Sequence, residues 1–296
     1  MVTEYFKLTP EIAKRVAALT FPTYRNSLSP LEQNLFGCTA LINDQPCALI
    51  LWRKQNNIAE ILSVFVQKEY REMGIGKKLI QTAIEDAKKL KCQYAKIIWT
   101  TRHLKTAALE ALLATTNWEI PVTRVKFFES TTTRINEAPW LWRFPDPVLP
   151  YQLKTWELLS NKQLDLLLSN SCNAPETLAP NFRMEHVDPT TSSALLFHEE
   201  VVGWMIVHDF PEMTNRLVYS RSWCTPNHRN RGRGAALILH SIRAHILKRS
   251  DRLWGIFDVS IDKKEMLLFF EKRFKKYAES TFESRQSVFL IDEKFK

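Results

Sequence analysis

Glycine is scarce in this chain, with 7 among 296 residues, where an average composition would supply roughly 20. Cysteine offers no framework either. Cys38, Cys47, Cys92, Cys172 and Cys224 are odd in number and never spaced Cys-x-x-Cys. That pattern argues against a disulfide frame or a zinc site and for unpaired thiols in a reducing cytosol, so a cytoplasmic protein with no metal is expected. No apolar run approaches the ~18 residues a membrane helix needs. The opening Met-Val-Thr-Glu-Tyr-Phe-Lys has no basic region followed by an apolar stretch, so no signal peptide is expected.

Four of the 7 glycines fall in two loops of one design. The first runs Val64-Phe65-Val66-Gln67-Lys68-Glu69-Tyr70-Arg71-Glu72-Met73-Gly74-Ile75-Gly76-Lys77-Lys78-Leu79. It reads as an apolar strand, a polar turn, an Arg-x-x-Gly-x-Gly loop and a helix. Ile75, Leu79, Ile80, Ala83, Ile84, Ala87 and Leu90 then recur on one helical face. In the second loop Arg229, Gly232 and Gly234 stand 158 residues after Arg71, Gly74 and Gly76. Its helix carries Ala235, Ile238, Leu239, Ile242 and Ile246 on one face. Glycine at a helix start lets backbone approach a ligand, and the unpaired first-turn N–H groups with the helix dipole behind them form a phosphate cradle. Other phosphate loops fit worse. A dinucleotide fingerprint wants a third glycine where Leu79 sits, and a P-loop wants Gly-Lys-Ser/Thr.

From Val64 to Leu79 the pattern Val-x-Val-x-x-x-Tyr-Arg-x-x-Gly-Ile-Gly-x-x-Leu resembles the acyl-CoA-binding motif of the GCN5-related N-acetyltransferases (GNAT). The copy at Arg229–Leu237 is similar but looser upstream, where Ser222 and Cys224 replace the two valines. The resemblance implies an α/β fold with a mixed sheet, built as two tandem GNAT-like acyl-CoA N-acyltransferase modules. Acetyl-CoA is the implied cofactor, and a primary amine on a small molecule or peptide the implied acceptor. Backbone groups around Val64 and Val66 would pair with the pantetheine arm. Amides of Glu72, Met73, Gly74, Ile75, Gly76 and Lys77 would hold the pyrophosphate, and Arg71 is counted with them as cofactor-binding. The corresponding second set is Cys224, Arg229, Asn230, Arg231, Gly232, Arg233, Gly234 and Ala235.

The catalytic residues are less legible. Amine acylation needs a neutral amine, so a base helps at pH 7, and the family often places a carboxylate on the strand entering the motif. Glu60 occupies that strand, with the parity of Leu62, Val64 and Val66. The second half has no acid on its matching strand, and its nearest candidates are His208, Asp209, Glu212 and Asp258. The family's proton-donating tyrosine is replaced by leucine within Leu112-Leu113-Ala114 and by phenylalanine within Phe269-Phe270-Glu271. One working half is therefore expected, with a lean toward the first. The alternative is a non-catalytic acyl-CoA sensor or scaffold.

Periodicity supports the duplication. Strand, helices, three strands, motif helix, strand, helix and closing strand succeed one another in residues 1–135 and again in 151–296, which are taken as the two modules. Thr9-Pro10-Glu11 and Ser29-Pro30-Leu31-Glu32 read as two helix starts in the first. Pro139, Pro145, Pro147 and Pro150 argue against regular structure in a linker at 136–150, where Trp140, Trp142 and Phe144 suggest packing onto a module. The net charge of +9 raises nucleic acid as a partner. A polyanionic cofactor accounts for part of it, and the Arg229–Arg233 cluster opens a periodic helix, so nucleic-acid binding is not expected.

Overall fold

The computed structural model describes residues 2–169, 173–181 and 183–291. Cys172, and Phe182 at the end of the irregular stretch expected from Asn173, lie outside the described residues. In the first half the elements are β1 (Thr3–Lys7), α1 (Pro10–Val16), α2 (Pro22–Arg25), β2 (Leu35–Ile42), β3 (Gln45–Gln55), β4 (Ile58–Val66), α3 (Ile75–Lys89), β5 (Tyr94–Thr100), α4 (Thr106–Ala114) and β6 (Val122–Thr131). There follow α5 (Thr132–Asn136), α6 (Pro139–Arg143), β7 (Tyr151–Thr155), α7 (Asn161–Leu168), β8 (Ser193–Phe197), β9 (Glu200–His208), β10 (Arg216–Cys224), α8 (Arg233–Lys248), β11 (Trp254–Ser260), α9 (Lys264–Phe269) and β12 (Ser280–Leu290).

Contacts divide the chain into two compact units. One runs to Arg124 and resumes at Glu283, and the other is Val125–Phe282. The division therefore falls earlier than the expected 135/151 boundaries, and the end of the chain returns to the first unit. The sheet of the first unit runs β1-β2-β3-β4-β5-β12. Every neighbouring pair is antiparallel except β4–β5. The second unit's sheet runs β7-β8-β9-β10-β11-β6, with β10–β11 as its parallel pair. Each sheet thus has five strands from one half of the sequence and a sixth from the other. Period-2 alternation identifies β6 and β12 as strands but carries nothing about which edge accepts them.

Helices cover both faces of each sheet. In the first unit α3 buries Ile75, Leu79, Ile80, Ala83 and Ala87 on one face, and α1 buries Ala13 and Val16 on the other. Leu79 and Ile80 are each worth roughly 2 kcal/mol for full burial. The Thr9 hydroxyl accepts from the Ile12 amide and Pro10 opens α1, as the sequence expects. The second helix start is displaced. α2 lies at Pro22–Arg25, while Leu28 and Leu31 pair in a tight turn. The competing interactions are visible: Leu28 is buried in the core, and the Glu32 carboxylate pairs with Arg53 at 3.1 Å instead of capping a helix.

Two further expectations change in the second unit. The proline-rich stretch is partly helical, because Pro139 takes the first position of α6, where its missing N–H costs nothing. Ile135, Ala138 and Leu141 from this strap enter the core, as does Trp140, which packs on Phe274 at 5.0 Å. The second motif helix, α8, is not apolar on one face alone. Ala236, Ser241, Ala244 and His245 are buried besides Leu237, Ile238, Leu239 and Ile242. The strap explains part of this cover. Arg243 donates through Nε to the Leu141 carbonyl (2.9 Å) and through Nη2 to that of Phe144 (2.7 Å).

Candidate active site

β4 and β5 are paired only from Ile58↔Tyr94 to Ile61↔Ile97, and then they part. On its other side β4 stays paired with β3 as far as Ala48↔Val66, with Leu62 as an extra residue between Ile61 and Ser63. Such a bulge bends the strand and re-aims its side chains. Ile61, Val64 and Val66 pack on the α3 side, and Leu62 and Phe65 on the α1 side. The parity read from the sequence therefore breaks at Leu62. Glu60 lies on the same side as Leu62 and opposite to Val64 and Val66.

The loop after β4 folds back on the strand through Arg71, whose Nε donates to the Val66 carbonyl at 3.1 Å. Gly74 then turns the chain at φ +76° and caps α3. A Cβ there would meet nothing within 4 Å, but the positive φ is one that other L residues adopt at a cost. At Gly76 the constraint is space, since a Cβ would lie 3.3 Å from Leu112 Cδ2 on α4. Glu72, Met73 and Lys77 are exposed around the loop, and Ile75 is buried beneath it.

Two cavities of about 600 Å³ each meet at this divide. One lies between the loop and α4 and is lined by Val64, Val66, Arg71, Gly74, Gly76 and Lys77. The other opens on the α1–α2 side and is lined by Leu19, Phe21, Tyr24, Ser63, Thr100 and His103. Val64, Phe65, Lys105 and Leu109 line both. Glu60 is bridged to Lys96 at 3.2 Å, in the last paired part of the strands, and borders neither cavity. Tyr24, His103 and Lys105 escaped the sequence reading because they stand in or beside irregular segments with no periodic signal. Leu113, at the family's tyrosine position, is in the core.

The first cavity fits the phosphate end of a nucleotide thioester on the structure's own terms. Its floor is a helix start of two or more turns, with one glycine open and one pressed against the far wall. The parted edge of β4 leaves backbone beside it free of a β5 ladder.

The second unit repeats the backbone with different contents. β10 and β11 pair from Arg216↔Trp254 to Tyr219↔Phe257 and part, and Ser220 is the extra residue opposite β9. Leu62 and Ser220 are 158 residues apart, so the bulge is duplicated along with the glycines. Gly232 sits at φ +76°, as Gly74 does. Here, however, a Cβ would lie 3.0 Å from the tip of the Phe144 ring. Arg233 stacks 3.8 Å over Tyr151 and donates to the His228 carbonyl at 3.1 Å. Gly234 has no wall within 4 Å. Arg229, Asn230 and Arg231 are exposed, Ala235 is half-buried and Cys224 is buried.

The second half's acid and histidine candidates separate clearly. His208 is buried, stacked on Phe210, with Nδ1 2.7 Å from the Ser220 hydroxyl. Asp209 is held by Arg252 and Arg249; burial works to raise its carboxyl, and the two guanidiniums outweigh it and lower it. Glu212 is exposed in a turn. Asp258 stands just past the last β10–β11 pair. Its surface is open to solvent, yet it is ringed by protein, and this desolvation pushes its carboxyl up to about 6 against the pull of Arg221. Phe270, at the second tyrosine position, is in the aromatic core with Phe257 and Phe274.

Residues 8–112 match the Acetyltransferase (GNAT) family. No curated protein matches the sequence. Among solved structures, a tandem GNAT protein from the clavulanic acid biosynthesis pathway is 13% identical, with 98% of this chain and 99% of that one covered at a TM-score of 0.62. A GCN5-related N-acetyltransferase from Sphaerobacter thermophilus is also 13% identical, covering 98% and 96% at 0.61. A probable N-acyltransferase from Enterococcus faecalis V583 is 11% identical, covering 99% and 73% at 0.56. The family match lies within the first unit. The chain as a whole has the fold of a tandem GNAT protein, with two such modules and mixed sheets.

Among the described residues no helix is long and apolar enough to cross a membrane. Nor do three or more His, Cys, Asp or Glu gather where they could hold a metal. Cys38, Cys47 and Cys92 are free thiols.

Proposed function

We propose that this protein is an acyl-CoA-dependent N-acyltransferase that acylates a primary amine of a small molecule or peptide, with acetyl-CoA as donor and the first unit doing the transfer. The observation that carries this reading is the meeting of two cavities at the parting of β4 and β5. One has a phosphate-type helix start, and the other has room for an acceptor.

Bound acyl-CoA supplies an activated thioester. The loop amides from Glu72 to Lys77, at the positive end of α3, would bind its pyrophosphate. The open edge from Val64 to Val66 would align its arm by backbone pairing. Leu109 and Leu112 on α4 exclude water from the wall facing Gly76. Glu60, on the acceptor side of β4 but held by Lys96 outside both cavities, is assigned the ammonium proton through a chain of waters rather than by direct contact. A thiol of ordinary pKa leaves without a dedicated acid, which is compatible with Leu113 at the tyrosine position.

The second unit is assigned a structural or regulatory part. Phe144 against Gly232 and the engagement of Arg233 with Tyr151 narrow its loop, although its arginines can still meet a polyphosphate. A non-catalytic acyl-CoA sensor is the second reading, favoured by the burial of both Leu113 and Phe270.

Cofactor binding is the first requirement. Coenzyme A or acetyl-CoA should raise the melting temperature, because a ligand that binds only the folded state stabilises it, by about 2.7 kcal/mol at a hundred times Kd. No shift at millimolar coenzyme A in low salt would remove the proposal.

A further inference from the structure

The acceptor-side cavity has a charge bias. Arg25, Lys105 and His103 line it, and no aspartate or glutamate does. Among the described residues neither Arg25 nor Lys105 is within ion-pair distance of a carboxylate. The Lys105 ammonium stands 5.7 Å from the centre of the Phe65 ring, on the seam of the two cavities. Cations without counter-ions beside a cleft repel a polycationic guest and attract an anionic one.

A second, independent observation points to a ligand. Thr20 is 7% exposed and lines the same cavity, and its hydroxyl has no hydrogen-bond partner. A buried hydroxyl left unpaired is costly, so one beside a cleft is a waiting donor or acceptor for whatever enters. The remaining walls are apolar and aromatic. Phe21 meets Tyr24 edge-on at 6.3 Å and His103 at 5.9 Å, and Phe65, Trp99 and Leu109 close the other side.

Resting on the first unit's reading as a transferase, we infer that its acceptor is a primary amine on an apolar or aromatic body that also carries an acidic group, either carboxylate or phosphate. The acid is met by Arg25 and Lys105, the body by the Phe21–Tyr24 wall, and a polar atom by Thr20. Polyamines and other multiply charged cationic amines are excluded by the same charges.

A matched series tests this: tyramine, tyrosine and O-phosphotyramine, with spermidine as the polycation. Transfer is followed by thiol release from acetyl-CoA, and acceptor binding by calorimetry on the coenzyme A-loaded protein. At least one acidic member should exceed tyramine about tenfold in kcat/KM and in affinity, with spermidine last. Which acidic member leads tells carboxylate from phosphate. Arg25 lines only the acceptor cavity, so Arg25→Glu should erase the acidic preference by raising the acceptor KM while the acetyl-CoA KM stays unchanged. Arg25→Gln serves as the milder variant, and Thr20→Val should weaken binding of the whole series. Spermidine or tyramine in first place, or a preference untouched by Arg25→Glu, would overturn the inference. Selective binding of an acidic amine with no transfer would sink the transferase reading and leave standing the cavity's selectivity for an acidic amine as ligand.

Discussion

Gly76→Asp should lower affinity for coenzyme A about a hundredfold while leaving the fold intact. Gly76 is the second residue of α3, and its Cβ position faces Leu112 at 3.3 Å across the cavity beside the loop. A carboxylate there projects toward the space assigned to the pyrophosphate. At ~5 Å and an effective dielectric near 20, one unit of like charge costs about 3 kcal/mol, which is roughly two decades of affinity. The same carboxylate sits in the first turn of a helix, where the dipole favours it by ~0.5 kcal/mol. Stability and binding therefore move in opposite directions, which separates loss of ligand from loss of fold. Gly76→Ala isolates the steric part, and a few-fold loss is expected because the Leu112 tip can yield. Calorimetry with each variant, beside its melting temperature without ligand, checks the pair.

The second large effect is on stability, in the other unit. Arg249 is the C-cap of α8 and donates to Asp188, to Asp209 at 2.8 Å and to Asp251 at 2.9 Å. Asp188 is 4% exposed. Removing the guanidinium strands that carboxylate in protein, a loss of about 3 kcal/mol or more when one partner of a buried pair is deleted. Arg249→Ala should therefore lower the melting temperature by roughly 10 °C for a unit of this size. The double variant Arg249→Leu with Asp188→Asn should recover part of the loss, since the uncompensated charge is gone. Asp251 is largely exposed, so Asp251→Asn should change little. A fall of only a degree or two for Arg249→Ala in thermal unfolding would show the network to be solvated.

The two predictions rest on features of unequal legibility. The loops were readable because glycine is conspicuous in a chain that avoids it, and because Arg, Gly and Gly recur at a fixed offset. Nothing in a strand's alternation announces an inserted residue, so the bulges at Leu62 and Ser220 were not readable. That single insertion moved Glu60 to the side away from Val64. The exchange of β6 and β12 was equally hidden, because both read as strands and partner choice is non-local. In the sequence Pro139 has the look of a breaker, although proline is as well suited to the first position of a helix as it is excluded from the middle. Phe144 against Gly232 could not be seen from either loop, since the contact joins residues 88 apart in sequence. Asp258, by contrast, is visible in the sequence as one of the second half's acids. Its displaced pKa came only with the surrounding protein.

These differences bear on the division of labour between the units. Both keep the parted strands, the bulge and the left-handed glycine. The first unit has the open loop, the walled groove and the second cavity, proposed for the acceptor. The second has a filled aromatic core behind its helix, a narrowed loop and one acid raised in pKa. The most direct measurement is amine-dependent thiol release from acetyl-CoA, compared among the unaltered protein, Gly76→Asp and Gly234→Asp. The account predicts release that depends on added amine, falls at least tenfold in Gly76→Asp at fixed cofactor and is largely retained in Gly234→Asp. Full rate in Gly76→Asp together with loss in Gly234→Asp would contradict it.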